Sequence, residues 1–369
     1  MTATNKQKHV FIGMSGGIDS SASVKILLDQ NYKVTGVTFI GLGKEEKQLQ
    51  TGKSSFLGKS SRKCCSAEEV IVAKQVCFGL GIEHITLDLA EVFKTMVREP
   101  FLNSYLNGET PNPCMLCNRF VKLGALVDFA LKNGADYVAM GHYTGVELID
   151  GEYLLKAGKD QNKDQSYFLA LLKPEILPYL IFPLANKEKH EVRDIVNSTT
   201  FPINGDKVES QDICFVDDDY RNYLKQQGVP KNEGMMLLDG KNVGTHEGVA
   251  FYALGQRRGL GIAVGKKIFI RKIDAPNNQI TLGDKPKSIE FTVSDLNIFS
   301  SKLQDGEWDI QTRYRSSRIP GNISFIDKNT IAVTLSEAQE IITVGQYAVF
   351  YKNNYIYGAG KIIATKLLD

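Results

Sequence analysis

The first two hundred residues alternate short apolar runs with stretches whose apolar side chains recur at helical spacing. This alternation is typical of a parallel α/β sheet. The predicted strands are residues 9–12, 33–40, 84–88 and 137–140. The predicted helices are residues 20–30, 67–80, 92–106 and 118–132. In open parallel sheets the loops after the carboxyl ends of the strands build the site. We therefore expect the site after the first, second and fourth strands.

The second half of the chain has a different pattern. Short segments punctuated by glycine replace the helices after residues 202–206, and from residue 277 apolar and polar positions alternate with the strand period. Six such segments separated by turns predict a small β-barrel. They are residues 289–293, 308–314, 322–326, 330–335, 346–351 and 356–363. The predicted domains are an N-terminal α/β domain (1–205), a small central domain (206–276) and a C-terminal β-barrel (277–369).

A turn of small residues joins the first predicted strand to the first helix and reads Gly-Met-Ser-Gly-Gly-Ile-Asp-Ser-Ser at 13–21. Gly16 and Gly17 let backbone N–H groups approach an anion, and the three serines add hydroxyl donors at the positive end of a helix. The turn lacks the lysine of a Walker A loop. It resembles the SGGxDS loop of the PP-loop ATP pyrophosphatases, which cleave ATP between its α and β phosphates and leave AMP on an acceptor oxygen. The resemblance implies that the chain activates a substrate by adenylation.

Composition narrows the class of protein. The chain has 369 residues, 43% hydrophobic and 23% charged, which predicts a soluble globular protein of two or three domains. No apolar run is long enough to span a membrane, and residues 1–8 are polar, so we expect a cytoplasmic protein. Cysteines in that compartment are core residues, metal ligands or reactive thiols more often than disulfides. Cys77 has the spacing of a core residue, and the adjacent Cys64 and Cys65 receive no catalytic role.

Two segments stand out by their local composition. Residues 248–273 contain six basic residues and no acidic one, which fits either contact with a phosphate backbone or a solvated loop. Residues 41–63 are rich in Lys, Ser, Gly and Gln, and we predict a mobile loop that substrate could order.

Residues 108–118 read Gly-Glu-Thr-Pro-Asn-Pro-Cys-Met-Leu-Cys-Asn and precede a predicted helix. A thiol near a helix N-terminus is a better thiolate, so Cys117 is a candidate nucleophile. Half of a zinc knuckle is the alternative, although a single C-x-x-C leaves the coordination incomplete. Cys214 stands between Ile and Phe, and that setting alone is more typical of a core residue.

The order of the motifs carries a more specific resemblance. Together with the loop at 13–21, these motifs resemble the tRNA-specific 2-thiouridylases over nearly the whole chain. The motifs are Thr-Pro-Asn-Pro with Cys-x-x-Cys-Asn (110–118), Gly-His-Tyr (141–143), Lys-Asp-Gln-Ser-Tyr-Phe (163–168), Ser-Gln-Asp-Ile-Cys-Phe (210–215), Gly-Gln-Arg-Arg-Gly-Leu-Gly (255–261) and Arg-Tyr-Arg (313–315).

The resemblance implies an ATP-dependent sulfurtransferase that replaces the C2 oxygen of the wobble uridine in tRNAs for Lys, Glu and Gln. AMP makes the oxygen a leaving group, a persulfide on Cys214 supplies sulfur, and Cys117 resolves it by forming a disulfide with Cys214. Sulfur would come from a sulfur-relay protein or a cysteine desulfurase. Mg²⁺ is expected with ATP because charge develops on the departing pyrophosphate.

Site residues follow from the resemblance position by position. The implied ATP contacts are Gly13, Met14, Ser15, Gly16, Gly17, Ile18, Asp19, Ser20, Phe39 and Gly141. The implied tRNA contacts are Asn112, Pro113, Cys114, His142, Lys163, Asp164, Gln165, Arg313, Tyr314 and Gln346. Structural roles are the alternative for three of these groups. His142 fits a strand-end histidine, Asp164 or Ser166 fits a helix cap, and residues 313–315 fit the solvent face of a strand.

Cys114 leaves the sulfur chemistry open. Some members of the family carry Asp at this position, and a thiol need not do the same work. Cys114, Cys117 and Cys214 form a three-cysteine set that could hold a [4Fe–4S] cluster with one open iron, although persulfide chemistry is favoured. Two other functions also stay open. They are a PP-loop ligase acting on a small molecule, such as an amide synthetase, and a non-catalytic RNA-binding protein with a relic ATP loop.

Overall fold

The computed structural model describes residues 7–42, 67–199, 213–216 and 219–368. Most of the predicted loop at 41–63, the predicted boundary at 202–206, Cys64 and Cys65 lie outside the described residues. The chain divides into two compact units. The first contains residues 1–96 and 114–217, and the second contains residues 97–113 and 218–369.

The first unit is built on a parallel sheet whose strand order is β3-β2-β1-β4-β7. The strands of this sheet are β1 (His9–Gly13), β2 (Lys33–Ile40), β3 (Glu83–Asp88), β4 (Tyr137–Ala139) and β7 (Leu180–Ile181). Between β4 and β7 the chain forms an antiparallel hairpin of β5 (Thr144–Ile149) and β6 (Glu152–Ala157). Val10 in β1 pairs with Val34 in β2, and both are buried. Helices cover a parallel sheet on both faces, which explains why these strands are apolar on both sides. The predicted parallel α/β sheet is confirmed.

The helical segments interleave with these strands. The α-helices of the described residues are α1 (Ile18–Asp29), α2 (Ala67–Gly79), α3 (Ala90–Phe93), α4 (Glu99–Leu106), α5 (Pro113–Leu116), α6 (Leu126–Lys132), α7 (Ser166–Leu169), α8 (Lys189–Asn197) and α9 (Tyr220–Gln226). Stretches with π-helical hydrogen bonding, Lys94–Arg98 and Cys117–Ala125, interrupt two of the predicted helices. The helix predicted over 118–132 starts five residues earlier than predicted, at Pro113. None of the described helices is long and apolar enough to cross a membrane.

The core of the first unit lies between the sheet and its helices. It includes Val10 and Ile12 of β1, Val24 of α1 and Val76 of α2, all fully buried. Cys77 is fully buried in the same cluster, which confirms its predicted core position.

The second unit contains a four-stranded sheet of order β10-β11-β8-β9. Its strands are β8 (Gly234–Leu238), β9 (Lys241–His246), β10 (Phe269–Asp274) and β11 (Gln279–Gly283). The predicted limit between residues 276 and 277 falls in the turn that joins β10 to β11. Because these two strands pair along their length, the sheet continues to Gly283.

A closed six-stranded antiparallel barrel completes the second unit. Its strands are β12 (Lys287–Ile298), β13 (Gly306–Gln311), β14 (Ile319–Asp327), β15 (Thr330–Glu340), β16 (Tyr347–Lys352) and β17 (Tyr355–Leu367). The pairing of β12 with β17 closes the sheet and leaves no open edge between these two strands. Phe350, Ile331 and Ile362 are fully buried inside. The predicted barrel is confirmed.

Candidate active site

The loop between β1 and α1 has the backbone geometry that an anion site needs. Gly16 has φ +66°, and a Cβ at that position would lie 2.8 Å from the Glu69 carbonyl oxygen. Only glycine meets both conditions without strain. Ile18 begins α1, so the amino end of a twelve-residue helix follows the loop directly. The partial positive charge of that helix end favours a bound phosphate.

The serines of this loop have different environments. Ser15 is exposed, whereas the Ser20 hydroxyl donates to the Gly17 carbonyl at 3.1 Å and lies 3.4 Å from the Ser15 hydroxyl. Ser21 is fully buried and donates to the same Gly17 carbonyl at 2.9 Å. Ser21 therefore holds the loop closed and does not present a hydroxyl to a phosphate, contrary to the sequence expectation.

Residues from two other strands contact this loop, as the sheet topology predicts. A Cβ on Gly13 would lie 2.2 Å from the Met140 sulfur and 3.5 Å from the Phe39 ring. A Cβ on Gly141 would lie 3.0 Å from the Asp19 carbonyl carbon. The backbone at Gly141 thus lies against the start of α1, whereas a Cβ at position 13 would displace the flexible end of the Met140 side chain. Met140 was not predicted, and its apolar character gave no signal of this contact.

Asp19 is the centre of a hydrogen-bond network. Its Oδ1 accepts bonds from the Tyr143 hydroxyl at 2.8 Å and from Lys189 Nζ at 2.7 Å. The Lys189 backbone N–H donates to Asp160 Oδ2 at 3.0 Å. Sequence reasoning named Asp19 but missed Lys189, which lies 170 residues away along the chain.

The side chains of Asp164 and Gln165, in the Lys-Asp-Gln segment at 163–165, accept hydrogen bonds from the protein's own backbone. Asp164 accepts bonds from the Gly158 N–H at 3.0 Å and from the Ser166 N–H and hydroxyl at 3.0 and 2.9 Å. Gln165 Oε1 accepts from the Tyr143 N–H at 3.1 Å. Asp164 thus binds within its own turn, but the cap of α7 is Gln165, without a side-chain cap bond, so the alternative in which Asp164 or Ser166 caps this helix is wrong. Lys163 is half-buried in the turn before Asp164.

His142 is a half-buried, neutral imidazole whose Nδ1 atom is shielded from solvent. Burial, with a smaller contribution from the nearby Lys122 charge, lowers the pKa of His142 to about 3. Its Nδ1 is buried and receives no hydrogen bond from the part of the chain that the structure describes. The ring meets Phe182 edge to face at 6.1 Å between centroids. A shielded ring nitrogen without a partner is suited to a hydrogen bond with a substrate.

The cysteines lie on two segments of the first unit. Cys114 belongs to α5 and is half-buried, and Cys117, 6% exposed, begins the π-helical stretch that follows. The predicted helix start near 118 is therefore wrong, and the first helical turn contains Cys114 instead of Cys117. Cys214 is half-buried in a turn, next to Phe215, which packs edge to face on Phe93 at 5.5 Å.

The described cysteines do not assemble a metal site. Within residues 7–42, 67–199, 213–216 and 219–368, no group of three or more His, Cys, Asp or Glu side chains could hold a metal ion. The geometry thus joins Cys114, Cys117 and Cys214 into neither a zinc site nor a cluster-binding set.

In the second unit, the barrel holds the segment that leads to Asn112 and Pro113. Gln346 Nε2 donates to the Thr110 and Pro111 carbonyls at 3.0 and 3.3 Å. The Thr110 N–H donates to the Val344 carbonyl at 3.0 Å, and Lys361 pairs with Glu109 at 2.8 Å. Gln346 therefore contacts the protein's own backbone, a role that the sequence did not indicate.

Arg313 and Tyr314 lie in a turn and not on a strand. Strand β13 ends at Gln311, and Arg315 has φ +64°, so the expected alternation of two arginines on one strand face is wrong. A strand could not continue through a residue with left-handed backbone. Arg313 and Arg315 are both exposed, and the Arg315 guanidinium lies 5.4 Å from the Tyr314 ring.

The described geometry, a parallel sheet with a lysine-free phosphate loop at the carboxyl end of β1, defines the PP-loop class of ATP-using proteins. Three family models match the chain in series. They are the tRNA methyl transferase HUP domain over residues 8–218, the tRNA methyl transferase PRC-barrel domain over 221–284 and the aminomethyltransferase β-barrel domain over 288–362.

Curated relatives match the chain from end to end. A tRNA-specific 2-thiouridylase of Pelotomaculum thermopropionicum is 36% identical over 96% of this chain and 97% of its own length. Those of Carboxydothermus hydrogenoformans and Treponema denticola are 38% and 39% identical, over 96% and 97% of this chain and 98% and 99% of theirs. The chain belongs to the tRNA-specific 2-thiouridylase family.

Proposed function

We propose that this protein is a tRNA-uridine 2-sulfurtransferase that uses ATP to replace the C2 oxygen of the wobble uridine with sulfur. The observation that carries the proposal is the intact phosphate loop in a chain that matches tRNA-specific 2-thiouridylases over nearly its whole length. The three relatives are named for this activity on tRNA. The substrate tRNAs are those for Lys, Glu and Gln.

In the first step the uridine C2 oxygen attacks the α phosphorus of ATP and pyrophosphate leaves. The N–H groups around Gly16 and the amino end of α1 bind the polyphosphate, and Phe39 and Gly141 line the nucleotide. Mg²⁺ would be held largely by phosphate oxygens, as is usual for this ion, and Asp19 is the carboxylate of the loop that could add a protein ligand. When bound, the ion would neutralise charge on the leaving pyrophosphate.

In the second step sulfur attacks C2. The terminal sulfur of a persulfide on Cys214 bonds to the carbon, and AMP leaves with the former C2 oxygen. The Cys117 thiolate then attacks the Cys214 sulfur, so that the sulfur–sulfur bond breaks and its electron pair stays with the sulfur on uridine. A Cys117–Cys214 disulfide results, and an external thiol reductant restores both thiols. A sulfur-relay protein or cysteine desulfurase reloads Cys214.

The other named residues hold the tRNA. Exposed Arg313 binds the phosphate backbone, and the unpaired Nδ1 of His142 accepts a hydrogen bond from the flipped-out base. The further proposed tRNA contacts are Asn112, Pro113 and Tyr314 in the second unit and Cys114, Lys163 and Gln165 in the first. Gln346 and Asp164 support it from within the protein through the bonds described above.

The test is a reaction of the full chain with ATP, Mg²⁺, unmodified tRNA, a thiol reductant, and a cysteine desulfurase with cysteine as the persulfide donor, followed by mass spectrometry of the nucleosides. We expect 2-thiouridine from the wild type and its loss in Cys214→Ala and Cys117→Ala. Cys77→Ala is the matched control, because Cys77 is a core residue, and it should retain the activity. No 2-thiouridine from the wild type, or full activity in Cys214→Ala, would contradict the proposal.

The absorbance spectrum of the purified protein distinguishes persulfide chemistry from iron–sulfur cluster chemistry. Persulfide chemistry predicts colourless, active protein after anaerobic purification. A visible absorbance band that disappears in Cys114→Ser, together with activity that depends on it, would favour a [4Fe–4S] cluster instead.

A further inference from the structure

Lys189 is a buried cation that belongs to none of the sequence motifs. Its side chain is only 9% exposed, and it is the first residue of α8. Burial penalises an ammonium group, and the positive end of a helix repels it. This position is favourable only if a specific anion compensates for both effects. Asp19 supplies such an anion, because its Oδ1 lies 2.7 Å from Lys189 Nζ.

Asp19 is oriented from two sides. The Tyr143 hydroxyl donates to the same Oδ1 at 2.8 Å, and Lys189 Nζ lies 5.7 Å from the centre of the Tyr143 ring. Asp19 Oδ2 accepts no bond from residues within the described ranges. The two donors thus fix the carboxylate by one oxygen and leave the other for a ligand.

The start of α8 is held firmly enough to make this pair a rigid element. Glu188 caps the helix and exchanges hydrogen bonds with Glu191 in a capping box. The Lys189 backbone N–H is bound to Asp160 at 3.0 Å. Lys189 therefore reaches Asp19 from a fixed backbone.

The charge of Asp19 explains why the pair matters. Asp19 lies in the first turn of α1, the helix whose amino end faces the phosphate loop. An uncompensated carboxylate there would repel a triphosphate. We infer that Lys189 is a positioning residue of the adenylation step: it neutralises and orients Asp19, so that the loop accepts the polyphosphate of ATP. This inference rests on the proposed function for the identity of the ligand.

The experiment is a double-mutant cycle on the full chain with Lys189→Met, Asp19→Asn and both together. ATP affinity is measured by calorimetry without tRNA, and thermal unfolding is measured for every variant. We expect Lys189→Met to weaken ATP binding about 10- to 100-fold, the range for a lost charge-assisted bond. In the Asp19→Asn background, Lys189→Met should weaken ATP binding by less than about twofold, because Lys189 acts through Asp19.

Two further variants distinguish positioning from a structural effect. Lys189→Arg keeps the charge and should retain most of the affinity for ATP. In Lys189→Met, the KM for ATP should change more than kcat at saturating ATP. The matched control is Lys187→Met, which removes a half-exposed lysine 3.4 Å from Glu191 and should bind ATP normally. If Lys189→Met is unfolded, the ATP affinity of the double variant, which lacks both charges of the pair, is compared with that of Asp19→Asn.

Wild-type affinity in Lys189→Met, or an equal loss in the Asp19→Asn background, would overturn the inference. The second result would mean that Lys189 acts on the nucleotide directly. Because ATP binding is measured without tRNA, failure of 2-thiouridine formation with an intact coupling between Lys189 and Asp19 would contradict the proposed function alone.

Discussion

Gln346→Leu tests how the barrel controls the segment that leads to the first cysteines. The substitution removes the amide that donates to the Thr110 and Pro111 carbonyls at 3.0 and 3.3 Å. A neutral hydrogen bond contributes about 0.5–1.5 kcal/mol, so the loss of two costs about 1–3 kcal/mol of local stability. The Glu109–Lys361 pair and the Thr110–Val344 backbone bond remain, so the segment is loosened and not released.

Amide hydrogen exchange of a peptide covering residues 106–113 measures this loosening. Protection should fall about 5- to 150-fold, which is the stated free energy expressed as an opening equilibrium. Since the segment continues into Cys114 and Cys117, we expect a lower kcat for thiolation with unchanged ATP affinity. Gln339→Leu is the control, because Gln339 is half-exposed and its amide donates at 3.4 Å to the carbonyl of its neighbour Ala338, outside the 106–113 segment. Unchanged exchange at 106–113 in Gln346→Leu would refute the reasoning.

Three other predictions concern single positions. Gly16→Ala should destabilise the loop by about 1–3 kcal/mol and raise KM for ATP, since its φ is +66° and a Cβ would meet the Glu69 carbonyl; normal ATP kinetics would count against the loop. Burial lowers the pKa of His142 to about 3. Its stabilising effect is therefore complete above the unfolded pKa of about 6.5 and is lost as pH falls toward 3, so in denaturant titrations His142→Gln should lose less stability than the wild type on acidification. Burial raises the pKa of Cys77 to about 11, so iodoacetamide at neutral pH should spare it in the folded protein and modify half-buried Cys214; rapid labelling of Cys77 would contradict its core position.

Much of the fold could be predicted from periodicity. The second strand was predicted at its observed limits, 33–40, because valines, threonines, phenylalanine and isoleucine dominate it, and the structure buries residues 34–39 of this run. The hairpin β5–β6 and the hairpin β8–β9 were missed although a signal was present. Each turns at an Asp-Gly pair with positive φ, at 150–151 and 239–240, and such pairs favour tight hairpin turns.

The site could be predicted only in part, because some of its contacts join distant positions. The phosphate loop is contiguous and carries its geometry in its glycines, so sequence alone located it. Lys189 meets Asp19 only through the packing of α8 near α1, and no spacing rule connects positions 170 residues apart. The turn at residues 313–315 was misread as a strand because its side chains alternate, while the positive φ of Arg315 is set by the barrel connection.

The fate of the uridine C2 oxygen tests the central claim most directly. A tRNA carrying oxygen-18 at C2 of the wobble uridine is converted by the full chain with ATP and a sulfur source, and the AMP formed is analysed by mass spectrometry. Adenylation of that oxygen predicts one oxygen-18 atom in AMP for each 2-thiouridine formed. Unlabelled AMP, with the label recovered in water, would contradict it.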